Sequence, residues 1–244
     1  MNHICFLFIV AVLIATIGDR PLAALEKPKP ASVLRKPTIA DTVKVNVYAD
    51  NWFALYINGE LVAVDPIKFV PHNVVSIEIL PSYPMTIAVL AKDNADPKTG
   101  MEYANTNIGD GGFILKIGDG TVTNTDWKAR RFSWGPVGGD VKSPRVVDEP
   151  LPKDWFAADF DDSQWSRAKS YTAEQVGPKQ PFYDYDFAGA EFVWTGDLAL
   201  DNVVIFRHRV EAAPDGKDRP DFSDLNNVVP VGPRGPGRGR NRPR

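Results

Sequence analysis

The chain has 244 residues, 43% of them hydrophobic and 24% charged, with a formal net charge of −3. That composition excludes a wholly disordered or collagen-like chain. The single cysteine, Cys5, excludes a disulfide framework and a thiolate metal site, while 21 Pro and 19 Gly imply many turns between short strands.

Taken in chain order, Ile4 to Ala15 form an unbroken apolar run that is short for a membrane-spanning helix, and small and polar residues follow it. A secretory signal peptide is expected over 1–24 and a charged, Pro-containing linker over 25–41. The mature chain would then be secreted, periplasmic or held at the cell envelope, with no transmembrane span.

From Thr42 the period is two. Val43, Val45, Val47 and Ala49 alternate with polar residues and predict a half-buried strand. Phe53, Leu55 and Ile57 precede Asn58-Gly59 and then Leu61 to Val64, the strongest short hairpin signal a sequence offers. Val75, Ile77 and Ile79 alternate again. Met85 to Ala91 is almost wholly apolar and predicts a central strand covered on both faces. Phe113, Leu115 and Ile117 precede the Gly118-Asp119-Gly120 turn, and Val203 to Val210 closes the series. No window has the pattern of a capped amphipathic helix. The expected fold is all-β, a single β-sandwich or jelly roll over 42–213.

The remainder, 214–244, ends in VGPRGPGRGRNRPR, which has five Arg, no acid and too little apolar surface to order itself. It is expected to be a disordered basic tail. Without those five Arg, 23 basic face 31 acidic residues, so the rest of the chain carries −8. The tail suits an acidic polymer as partner. Nucleic acid is not expected beside an export signal.

Several of these pieces, in their order, resemble a known group. FALYINGELVAV, MTIAVLAKD, GGFILKIGDGTVTNTDWKA and DWFAADFDDSQW are similar to the N-terminal sandwich modules of bacterial α-L-rhamnosidases. FDDSQW, Phe160 to Trp165, also resembles an element of sugar-binding domains in the β-galactosidase and β-glucuronidase family, where an arginine-bearing strand follows, as Ile205-Phe206-Arg207 does here. The resemblance implies a galactose-binding-domain-like fold. In those hydrolases a catalytic barrel accompanies the module, and no such barrel is in these 244 residues.

Motifs for nucleophilic, phosphate-binding or His-metal chemistry are absent from the sequence. His208 alternates with Phe206 and Val210 and reads as part of a packed face. Asp161 and Asp162, with Asp159 nearby, read as turn formers whose side chains bond neighbouring N–H groups. The oxygen-rich loop Asp93 to Asn107 is the better site. Asp93, Asn94 and Asp96 are candidate metal ligands, and hard oxygens at this spacing suit a structural calcium; no other cofactor is expected. Trp52, Tyr103, Glu102, Asn105, Trp134, Tyr183 and Tyr185 are candidate ligand-binding residues, because rings stack on pyranose faces and the loop polar groups hydrogen-bond. Trp127, Trp155 and Trp165 read as core.

The expected function is that of an exported, non-catalytic module binding carbohydrate or a glycan-bearing surface. The alternatives are a structural or adhesive envelope protein that binds a partner protein and a small carboxylate-dependent glycoside hydrolase, whose two acids would stand about 5–10 Å apart.

Overall fold

A computed structural model describes residues 36–66 and 73–222. The expected signal peptide with Cys5, the linker up to residue 35, His72 and the Arg-rich span from 223 lie outside the described residues.

A 3₁₀ turn at Ile39–Asp41, capped by Thr38, leads into β1 (Val43–Asp50). The strands β2 (Trp52–Ile57), β3 (Glu60–Val64), β4 (Val74–Ile79) and β5 (Met85–Lys92) follow. A small ribbon, β6 (Met101–Glu102) and β7 (Asn107–Ile108), precedes β8 (Gly112–Ile117) and β9 (Lys128–Trp134). Two-residue strands β10 (Val147–Asp148) and β11 (Ser166–Arg167), then β12 (Lys169–Tyr171), β13 (Phe192–Trp194) and β14 (Asp201–Val210), complete the set. The one α-helix described, α1 (Ala173–Val176), is a single turn capped by Thr172 and Gln175, too short to leave a periodic signal in the sequence.

The strands form two antiparallel sheets, β12-β13-β8-β1-β4 and β10-β9-β14-β5-β2-β3, with β11 beside β9. Their facing sides enclose a core of Val45, Val47, Phe53, Leu55, Ile87, Val89, Phe113, Leu115, Trp127, Trp194 and Phe206. The fold is therefore the all-β sandwich that the alternation predicts. His208 stacks on Trp127 at 5.1 Å inside it, and burial holds the imidazole below its usual pKa. Among the described residues no helix is long and apolar enough to cross a membrane.

The Asn58-Gly59 hairpin forms as expected, with Ile57 paired to Glu60 and both turn residues at positive φ, 49° and 87°. A Cβ on Gly59 would meet no atom closer than 3.8 Å, so only the backbone demands glycine there. Gly59→Ala is expected to cost about 1–2 kcal/mol, read from a urea denaturation curve, with m unchanged.

Two parts of the core depart from simple alternation. The outer face of β1 was expected to meet solvent, but Asn46 and Tyr48 are buried. The segment 182–192 covers them: Phe182 and Phe192 pack edge-on to Tyr48 at 5.4 and 5.8 Å, and Asn46 Nδ2 donates to Asp186 O. The outer face of the second sheet is covered in the same way. Ala88, Leu90, Phe132 and Ile205 lie under Trp155 and Trp165, which are core residues as expected but of this second cluster. Arg207, only 2% exposed, fastens that cover. Its Nε donates to Asp162 Oδ2 at 2.8 Å, its Nη2 to Ala157 O at 2.9 Å and its Nη1 to Trp155 O. Asp161 Oδ1 accepts from Ser163 N–H at 2.9 Å, the turn chemistry expected of it.

The start of the span expected as tail is tied to the body. Asp215 N–H donates to Asp119 O, Arg219 forks onto both oxygens of Asp215, and Ser82 donates to Asp221.

Candidate functional site

At one end of the sandwich, β5 runs out into Asp93, and the chain turns through Asp96 into the β6–β7 ribbon. Asp96 is used by the turn itself: its Oδ1 accepts from the N–H groups of Lys98 and Thr99, and its carbonyl from Gly100 N–H. Glu102 sits in β6 and is buried. The chain returns along β7 to Gly109-Asp110-Gly111-Gly112 and enters β8. This path brings one carboxylate oxygen each of Asp93, Glu102 and Asp110 within 4.8 Å of one another.

Gly109 makes the approach possible. A Cβ there would stand 2.0 Å from Asp93 Oδ2 and 3.0 Å from its Cγ, so any side chain would occupy the place of the carboxylate.

Asp50, at the end of β1, adds a fourth acid to the field of the cluster. Burial, then the charges of Asp110 and Glu102, push its carboxyl up to about 7. Asp93 is held well above the usual carboxylate range by burial first and then by its hydrogen bond and charge repulsion with Glu102. Glu102 is raised as well, chiefly by burial.

A cleft of ≈ 620 Å³ opens beside Asp93, lined also by Lys92, Asn94, Asp96, Tyr103, Ser133, Asp148 and Asn202. Tyr103 stands at its rim, 63% exposed, and the charge of Glu102 raises its phenol pKa. Tyr183, 60% exposed, packs edge-on against Phe182 with ring centroids 5.2 Å apart and does not line this cleft.

The structure thus gathers part of the expected set. Asp93, Glu102 and Tyr103 come together, with Asn94 beside them; the Asn94 backbone N–H donates to Asn51 Oδ1. Asn105 is exposed on the ribbon turn and accepts from the Thr99 hydroxyl. Trp52 is half-buried on the outer face of the second sheet, its indole N–H on Asp65 O and the Lys92 ammonium 5.6 Å from its ring. Trp134 lies in a separate cleft of ≈ 500 Å³, where the Arg131 guanidinium is 4.2 Å from the ring. Tyr185 follows the 3₁₀ turn Phe182–Asp184 and is also exposed. Asp110 and Asp50 were not singled out from the sequence. The signal for Asp110 is an acid flanked by glycines on both sides immediately before a strand; Asp50 has none, because only sheet pairing brings it near.

No protein-family model, curated protein or solved structure matches this chain.

Proposed function

We propose that the protein is an exported, non-catalytic module that binds carbohydrate or a glycan-bearing surface at this end of the sandwich. The observation that carries the reading is Tyr103, a large ring 63% exposed in the lining of a cleft that mixes polar and apolar residues. A ring held out in water beside Asn94, Ser133 and Asp148 offers a stacking surface and a set of hydrogen-bond partners, the two things a sugar needs. The likeness of the sequence pieces to accessory sandwich modules of glycoside hydrolases supports the same reading.

A glycan array probed with the full chain tests the proposal. Tyr103→Ala is expected to lower the signal at least about tenfold, the loss of one stacked ring, and to leave the melting temperature unchanged because Tyr103 is exposed. An array silent for the parent chain would refute the carbohydrate reading. The reading as an adhesive envelope protein is favoured by a different feature: Leu61, Val62 and Val64 are exposed on edge strand β3, a surface on which a partner strand can pair.

A further inference from the structure

We infer that Asp93, Glu102 and Asp110 bind a calcium ion that ties the end of β5 to the β6–β7 ribbon. Two oxygens sharing one calcium at about 2.4 Å can be no more than about 4.8 Å apart, and the three carboxylates meet that limit. They come from three places in the chain, the residue after β5, β6 and the turn before β8, so one ion fastens three segments.

The donor set defines the class of ion. It is all oxygen, with no His or Cys among its members, which disfavours zinc and copper and suits a hard cation. Calcium accepts the irregular, loop-built geometry that magnesium resists.

A second observation is independent of the clustering. Asp93 is 5% exposed, and its Oδ1 is buried with no hydrogen-bond partner. A buried acceptor normally has a partner, and an ionised one needs it more. Neither Asp93 nor Glu102 forms an ion pair with a Lys or Arg among the described residues. Asn202, whose carbonyl accepts the Asp93 N–H, also carries a buried Oδ1 without a partner, and it lines the same cleft. A divalent cation bound by Asp93 and Glu102 offsets the cost of burying two like charges side by side.

The experiment uses the full chain stripped with EDTA and then titrated with calcium chloride. Calorimetry should show one equivalent bound, and the melting temperature should rise by about 5 °C or more at millimolar calcium. Magnesium chloride at the same concentration should raise it by less than half as much. Asp93→Asn and Glu102→Gln should each weaken calcium binding at least about tenfold, while their calcium-free melting temperatures stay at or above the parent value, because a buried like charge has gone. Asp110 is exposed, so Asp110→Asn gives the same reading should either buried variant fail to fold. Asp126→Asn, on the exposed pair with Arg167, should bind calcium as the parent does. No heat and no melting shift up to about 10 mM calcium would overturn the assignment, since at such weak affinity the ion would add nothing to the fold. Parent-like binding by Asp93→Asn and Asp110→Asn would overturn it too, by placing the ion elsewhere. No sugar enters these measurements, so their failure is distinct from failure of the carbohydrate reading.

Discussion

Replacing Arg207 by Met is expected to destabilise the protein by about 3–5 kcal/mol, the loss typical when one partner of a buried charged network is removed. Arg207 satisfies the carbonyls of Trp155 and Ala157 and the carboxylate of Asp162, and its guanidinium lies 5.1 Å from the Phe160 ring. Met matches the aliphatic stem but leaves the Trp155 carbonyl without a donor beneath a hydrophobic cover and the Ala157 carbonyl with the Phe160 N–H alone, while Asp162 loses its cation. Asp162 is 29% exposed as a side chain, so water can replace part of what it loses. Asp162→Asn should therefore cost only about 1 kcal/mol, the net worth of one hydrogen bond. Denaturant unfolding followed by tryptophan fluorescence reads both variants. An Arg207→Met protein within about 1 kcal/mol of the parent, the worth of one ordinary hydrogen bond, would mean that the cover holds by packing alone.

The EDTA-treated protein is expected to lose stability as pH rises from about 5 to 8, against the trend of ordinary acid denaturation. Asp50 titrates at about 7 in the folded chain and at its ordinary 3.8 when unfolded. Between those values the native state holds more protons than the unfolded state, so stability falls as pH increases toward and through 7. A shift of this size corresponds to a loss on the order of 4 kcal/mol across its whole span, of which the part above pH 5 is on the order of 3 kcal/mol. Asp93 and Glu102 act in the same direction. His208 opposes them: its folded pKa lies below 6.5, so its contribution is present above 6.5 and lost as pH falls toward that lower value. Asp50→Asn removes one of the raised groups and should flatten the slope. Melting temperatures that climb steadily from pH 5 to 8 in both proteins would contradict the electrostatics of the cluster.

What the sequence made legible was whatever its own neighbours decide. Asn58-Gly59 forms its turn from two residues, and the run Met85 to Ala91 carries its burial in composition, so both elements stand where alternation placed them. The outer face of β1 could not be read in this way, because Phe182 and Phe192, which bury Tyr48, lie more than a hundred residues later. Trp155 and Trp165 read as core for the right reason, large rings bury well, but no local pattern says that a second apolar cluster lies on the far side of a sheet. The site divides along the same line. Asp93, Glu102 and Tyr103 share one oxygen-rich loop and were visible together. Asp110 and Asp50 join them only through strand pairing, and Trp134 is taken to a different cleft by β9.

The last of the described strands occupies the middle of a sheet. β14 pairs with β5 on one side and β9 on the other, so its ten residues close the larger sheet and complete both cores. A growing chain that has not yet released Asp201 to Val210 has β5 and β9 separated, each with an open backbone edge and an uncovered apolar face. Closure of the sandwich must therefore wait for β14, and the contacts that complete it join residues more than a hundred positions apart. For a protein exported as proposed above, that dependence is useful, because the chain stays threadable until β14 has emerged. A chain shortened to end before residue 201 would accumulate as an aggregation-prone species, since no other described strand lies between β5 and β9.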